Sequence, residues 1–130
     1  MTELAINVQR LPGCHVVHLD GELDRVTRMQ LDRTLARLLE ADRPKVVIDV
    51  TDLDFCDSCG LWALVVGRRQ AERRGGTVRL VGVHGPLARL LTLTRLTHLF
   101  PPDADPADAT GQAADRAVTR TRARPRGWPC

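Results

Sequence analysis

Aromatic side chains are scarce in this chain: two Trp, two Phe and no Tyr among 130 residues. Aliphatic groups must therefore fill any core, and with 43% apolar residues there are enough of them for one modest globular domain. No apolar run approaches the ~18 residues that a membrane span needs. The opening stretch, MTELAINVQR, carries Glu3 and no continuous apolar segment, unlike a secretory signal. The expected compartment is the cytoplasm, where thiols stay reduced, so four cysteines at 14, 56, 59 and 130 make a poor disulfide framework. No G-x-S-x-G elbow occurs, and no second C-x-x-C follows the one at Cys56–Cys59. The histidines (15, 18, 84 and 98) lack ligand spacing around that pair. These absences argue against a serine hydrolase, a metal centre and a membrane protein.

The net charge of +3 is unevenly spread. Residues 1–100 are nearly balanced, whereas Arg116–Cys130 holds five Arg and no acid. Such a tail is able to touch nucleic acid or acidic partners. With Trp128 its only aromatic, it reads as a solvated tail, and no direct nucleic-acid role is expected. From Pro101 onward the chain is rich in Pro, Ala, Asp and Arg and too poor in large apolar groups to offset its ordering entropy. Residues 1–100 are thus the expected domain. Residues 101–130 are an expected disordered tail, with at most a short helix near 112–119.

Within the domain, residues 3–9 alternate as a half-buried strand, with Leu4, Ile6 and Val8 on one side. Pro12-Gly13 suits a type II turn into an antiparallel strand over 14–20. GELD (21–24) closes that strand, and Asp24 is placed to cap a helix over about 25–41, on which Leu31, Leu35, Leu38 and Leu39 share a face. KVVIDV (45–50) has the continuous apolar character of a strand buried on both faces. A loop over 51–57 then leads to a helix over about 58–74, ended by Gly75-Gly76. A strand over 77–83 follows, then a helix from Pro86 to about 93. Strand, helix and strand over 45–83 form a β-α-β unit with parallel strands. Ser58 falls just beyond the carboxyl end of its first strand, where open α/β sheets carry functional loops.

Two chemistries compete in FCDSCGL (55–61). Cys56 and Cys59 make a C-x-x-C pair, but Asp57 beside Cys56 opposes a thiolate, and Cys56 reads equally well as a small buried apolar group. Ser58 has no His near it in sequence to act as a base. It reads better as a phosphate acceptor at a helix start, where backbone amides tolerate an anion and one phosphate adds about −1.5 to −2 charges. Simple helix capping by Ser58 would account for the same residue and is compatible with that role.

Three stretches in order, HLDGELDRVT, VVIDVTDLDFCDSCGLWALV and GGTVRLVGVHGPLARLLTLTRLTHLF, resemble the STAS domains of bacterial anti-sigma factor antagonists. The resemblance runs from about residue 4 to 100. It implies an α/β STAS fold, a mixed sheet of four to five strands packed with helices. It also implies a non-enzymatic, cofactor-free switch in transcription control. In such proteins the serine after the aspartate, here Ser58, is phosphorylated by a GHKL-type serine kinase that is itself the anti-sigma factor and uses Mg-ATP. The unphosphorylated antagonist binds the kinase and frees the sigma factor; phosphorylation ends binding, and a PP2C-type phosphatase resets it. Relatives of this size commonly act as monomers docking on a kinase dimer. The resemblance places Asp24, Asp57, Ser58, Cys59 and Gly60 in the partner-binding site. The chain departs from the family at Cys59, usually Ser or Thr, at Arg95, where many relatives have Gly, and at PPDADPADATGQ, which replaces the apolar entry to a last helix. Two alternatives remain open at this point: a thiol redox sensor using Cys56 and Cys59, and a STAS module that binds a partner without being phosphorylated.

Overall fold

The computed structural model describes residues 3–100. Strand β1 (Leu4–Leu11) turns through Pro12-Gly13 into β2 (Cys14–Leu23), then α1 (Arg28–Leu38), β3 (Lys45–Cys56), α2 (Ser58–Arg73), β4 (Thr77–Val81) and α3 (Gly85–Leu93), with a 3-10 turn at Thr97–Leu99. Among the described residues the sheet order is β1-β2-β3-β4. The β1/β2 pair is antiparallel, and β2/β3 and β3/β4 are parallel, giving the expected mixed α/β sheet. Gly13 takes the left-handed φ of +84° that the turn requires.

One sheet face holds the main core. Val17, Leu19 and Leu23 of β2, Val46, Ile48 and Val50 of β3 and Leu80 of β4 meet the helices. The helices contribute Leu31 and Leu35 of α1, Leu61, Leu64 and Val65 of α2, and Leu87 and Leu91 of α3. Each such side chain, fully buried, contributes roughly 1.5–3 kcal/mol. The opposite face carries a smaller cluster, Cys14, Val16, Val47 and Val81.

Several boundaries differ from the sequence expectation. β2 runs on through GEL to Leu23, and β3 runs on through residues 51–56, expected as loop. The two extensions pair with each other: Asp20 faces Asp52, Gly21 faces Leu53 and Leu23 faces Cys56, with register shifts that absorb the irregular polar pattern. Helix α1 is shorter than 25–41, because residues 24–27 form a turn before it. Strand β4 ends at Val81, where Gly82 adopts φ +77°. Val8 stays exposed, so the buried alternation of β1 is confined to Leu4 and Ile6. Cys56 and Cys59 are free thiols. The expected tail over 101–130 and the short helix near 112–119 lie outside the described residues.

Helix stops are well defined. At the end of α2, Gly76 N donates to Ala71 O (2.8 Å) and Gly75 N to Glu72 O (3.0 Å), a Schellman closure with Gly75 at φ +75°. A Cβ on Gly76 would collide with Pro44. Helix α3 ends the same way, Leu96 N to Leu91 O (2.9 Å) and Arg95 N to Thr92 O (3.1 Å), but with Arg95 in the left-handed position at φ +58°.

Candidate functional site

The carboxyl ends of β2 and β3 lie side by side, so GELD and FCDSCGL, distant in sequence, meet at one edge. The junction is fixed by Asp57 N donating to Leu23 O at 3.2 Å. Beyond Leu23 the chain turns on Asp24. Its Oδ1 accepts from Val26 N (2.9 Å) and Thr27 N (3.0 Å). The Thr27 hydroxyl donates to Glu22 O (2.8 Å) and accepts from Asp24 N (3.0 Å). Asp24 is only 8% exposed. It builds the turn that starts α1 instead of capping the helix from its first residue, and its carboxylate is occupied by backbone.

Asp57 is the cap of α2. Its backbone is extended and its Oδ1 accepts from Gly60 N at 2.9 Å, while its carbonyl accepts from Leu61 N at 2.9 Å. Asp57, not Ser58, therefore closes the helix start, and Ser58 stands exposed as the first helical residue. Cys59 follows, half-buried. Gly60 is buried where α2 crosses the β2 end; a Cβ there would lie 2.7 Å from Leu23 Cγ and Leu23 O and 3.1 Å from Cys56 Sγ. The small residue lets the helix start seat against the turn. All five expected site residues, Asp24, Asp57, Ser58, Cys59 and Gly60, thus lie at one edge, and of them Ser58 is the exposed one.

Cys56 is buried in the main core and its thiol contacts Asp57 O at 3.5 Å. Burial, aided by the negative charge of Asp57, pushes its pKa up to about 12. Burial and a raised pKa make Cys56 a poor nucleophile at neutral pH. Among the described residues no three metal-ligating side chains converge.

The sequence reading missed two features. His18 is 6% exposed, and its Nδ1 is 3.0 Å from Asp49 Oδ2 across the β2/β3 ladder. Asp49 Oδ1 accepts from Thr51 N (3.0 Å) and the Thr51 hydroxyl (2.6 Å). Burial raises the Asp49 pKa, but the bonds from His18 and Thr51, with the charge on His18, outweigh it and hold the carboxyl below its ordinary value. The strand register makes His18 and Asp49 direct partners, and the sequence alone does not display it. The second missed feature is an indole: Trp62 is exposed on α2, one turn beyond Ser58.

Residues 5–109 match the STAS domain family model. An anti-sigma F factor antagonist of Paenibacillus polymyxa is 30% identical over 102 residues, covering 75% of this chain and 85% of that protein. The crystal structure of an anti-sigma factor antagonist from Mycobacterium paratuberculosis superposes with a TM-score of 0.69 at 28% identity, over 93% of this chain and 96% of that one. The Bacillus cell fate determinant SpoIIAA, solved in its phosphorylated form, shares the fold with a TM-score of 0.62 at 17% identity, over 91% of this chain and 100% of that one.

Proposed function

Because this chain belongs to the STAS domain family, we propose that it is an anti-sigma factor antagonist switched at Ser58. In this reading the unphosphorylated protein binds a GHKL-type serine kinase that holds a sigma factor, and so releases that factor. It acts by binding and has no catalytic step of its own. The observation that carries the reading is the division of labour at the start of α2: Asp57 bonds the helix amide, and Ser58 is left exposed beside it.

The chemistry is a phosphoryl transfer supplied by the kinase. Ser58 Oγ attacks the γ-phosphorus of ATP, the new O–P bond forms as the bond to ADP breaks, and the hydroxyl proton leaves to a base on the kinase or to water. This chain contributes an accessible hydroxyl on a rigid helix end. The product places about −1.5 to −2 charges next to Asp57. Across a docked interface those charges are poorly screened, since solvent screening acts over ~8 Å and needs solvent. Like-charge crowding then favours release. Asp24 acts on this face through the turn it holds, and Gly60 through the seat of the helix. Reset requires a phosphatase of PP2C type to hydrolyse the phosphoserine.

The test is intact-mass analysis of the protein isolated from its own host, with fragments mapped across residues 52–68. One phosphoryl adduct on Ser58, absent from Ser58→Ala, is expected. Absence of the adduct under all growth conditions, with partner binding retained, would instead identify a STAS module that binds without modification.

A further inference from the structure

Six large apolar side chains are exposed among the described residues, and four of them stand on the segments that meet at the Ser58 edge, the end of β3, the turn before α1 and the first turns of α1 and α2: Val26 (68%), Met29 (56%), Phe55 (42%) and Trp62 (47%). Val26 lies in the turn held by Asp24, and Met29 is in the first turn of α1. Trp62 is four residues beyond Ser58 on α2, so the two share a helix face with Cβ atoms about 5–6 Å apart. Helices α1 and α2 pack together, with Leu35 set against Gly67 so tightly that a Cβ on Gly67 would lie 2.9 Å from Leu35 Cδ1. Met29 precedes that crossing by six residues and Trp62 by five, which puts both at a similar height on neighbouring helices.

Trp62 is also held. The Arg69 guanidinium lies 5.3 Å from its ring centroid, further along α2. A stack of this kind favours one orientation of the indole before any partner arrives. Tryptophans restrained in this way are typical energetic centres of protein interfaces. The same strand ends, turn and helix starts carry Glu22, Asp54 and Asp57, with Arg25 in the turn, Arg28 paired to Asp32 at 3.4 Å and Arg69 over the indole. Four acids against three Arg leave the rim acidic by a single charge.

We infer that Trp62, with Met29 and Val26, is the apolar anchor by which the anti-sigma factor grips this face. The inference rests on the reading of Ser58 as the switch. The complementary surface is an aliphatic pocket on the kinase ringed by Lys or Arg. The geometry also gives phosphorylation its leverage: a dianion one helical turn from the anchor must be desolvated if the indole is to stay in its pocket.

The full chain with Trp128→Phe leaves Trp62 as its sole indole. It is titrated, by tryptophan emission, with each purified GHKL-type serine kinase of the source genome in turn. With the kinase that phosphorylates Ser58, the emission should shift to the blue. Trp62→Ala, in an otherwise unaltered chain, should weaken the Kd at least 30-fold by calorimetry, with Trp62→Phe between it and the parent. Far-ultraviolet circular dichroism should be unchanged, because the side chain is exposed. If that kinase modifies Ser58 yet binds Trp62→Ala and Met29→Ala within threefold of the parent, the anchor lies elsewhere and the proposed function stands. If no kinase binds or modifies Ser58, the proposed function falls and the inference with it. An emission shift that depends only on the protein's own concentration would overturn it in favour of a second copy of this chain.

Discussion

Gly60 shows how little room separates the site from the core. The space a methyl group would take is already filled by Leu23 and Cys56. Gly60→Ala should therefore destabilise the protein by about 1–3 kcal/mol, seen as a lower midpoint in urea unfolding with an unchanged slope. The neighbouring thiols differ in a way that alkylation reads directly. Iodoacetamide at pH 8.5 should modify Cys59 in the native protein, whereas Cys56, buried and with its pKa near 12, should react only after denaturation. Rapid native labelling of Cys56 would contradict its burial. At this scale the sequence was informative about Ser58 and the glycine, because the motif residues stand in their expected places. It was silent on His18 and Trp62. A histidine between apolar strand residues looks the same on paper whether it faces solvent or an aspartate on the next strand.

At the scale of elements, the two helix stops make a controlled comparison. Both α2 and α3 end in the same hydrogen-bonded closure, one on Gly75 and the other on Arg95, each with positive φ. A residue with a Cβ in that conformation costs about 1–2 kcal/mol, partly offset by the larger unfolded-state entropy of glycine. Arg95→Gly is expected to stabilise the fold by roughly 0.5–1 kcal/mol, measured as a rise in Tm. At the other end of α2, Asp57→Ala removes the cap and should cost about 1 kcal/mol in thermal unfolding. The β-α-β unit over 45–83 was legible because KVVIDV, the leucine spacing of α2 and Gly75-Gly76 are each unambiguous. Residues 51–56 were not, because acids at 52 and 54 resemble a loop. They are strand because β2 continues beside them and supplies pairing partners across two register shifts.

For the whole molecule, the buried Asp49 ties stability to pH. Its folded pKa lies below its ordinary value of 3.8, so its stabilisation is complete above that value and is lost as pH falls through the folded pKa. Denaturation midpoints followed from pH 6 downward should fall steeply below about pH 4. Asp49→Asn should lower stability by about 1–2 kcal/mol at pH 6 and flatten the acid limb. An unchanged limb would mean that other carboxylates carry the acid sensitivity. The α/β class was readable from the apolar spacing, and the family match reaches residue 109, past the boundary expected at 100. The arrangement of the second sheet face was not, since it depends on pairings between strands far apart in sequence.

The cap on α2 has one last consequence. The residue that closes the helix and the residue proposed to carry the signal are neighbours, not the same side chain. A mark on Ser58 can then be written and erased without opening the helix, because the bond that begins it belongs to Asp57. Under the proposed function, the protein's memory of its state and its durability as a folded object are stored in different atoms, so repeated cycles of switching need leave no wear on the fold.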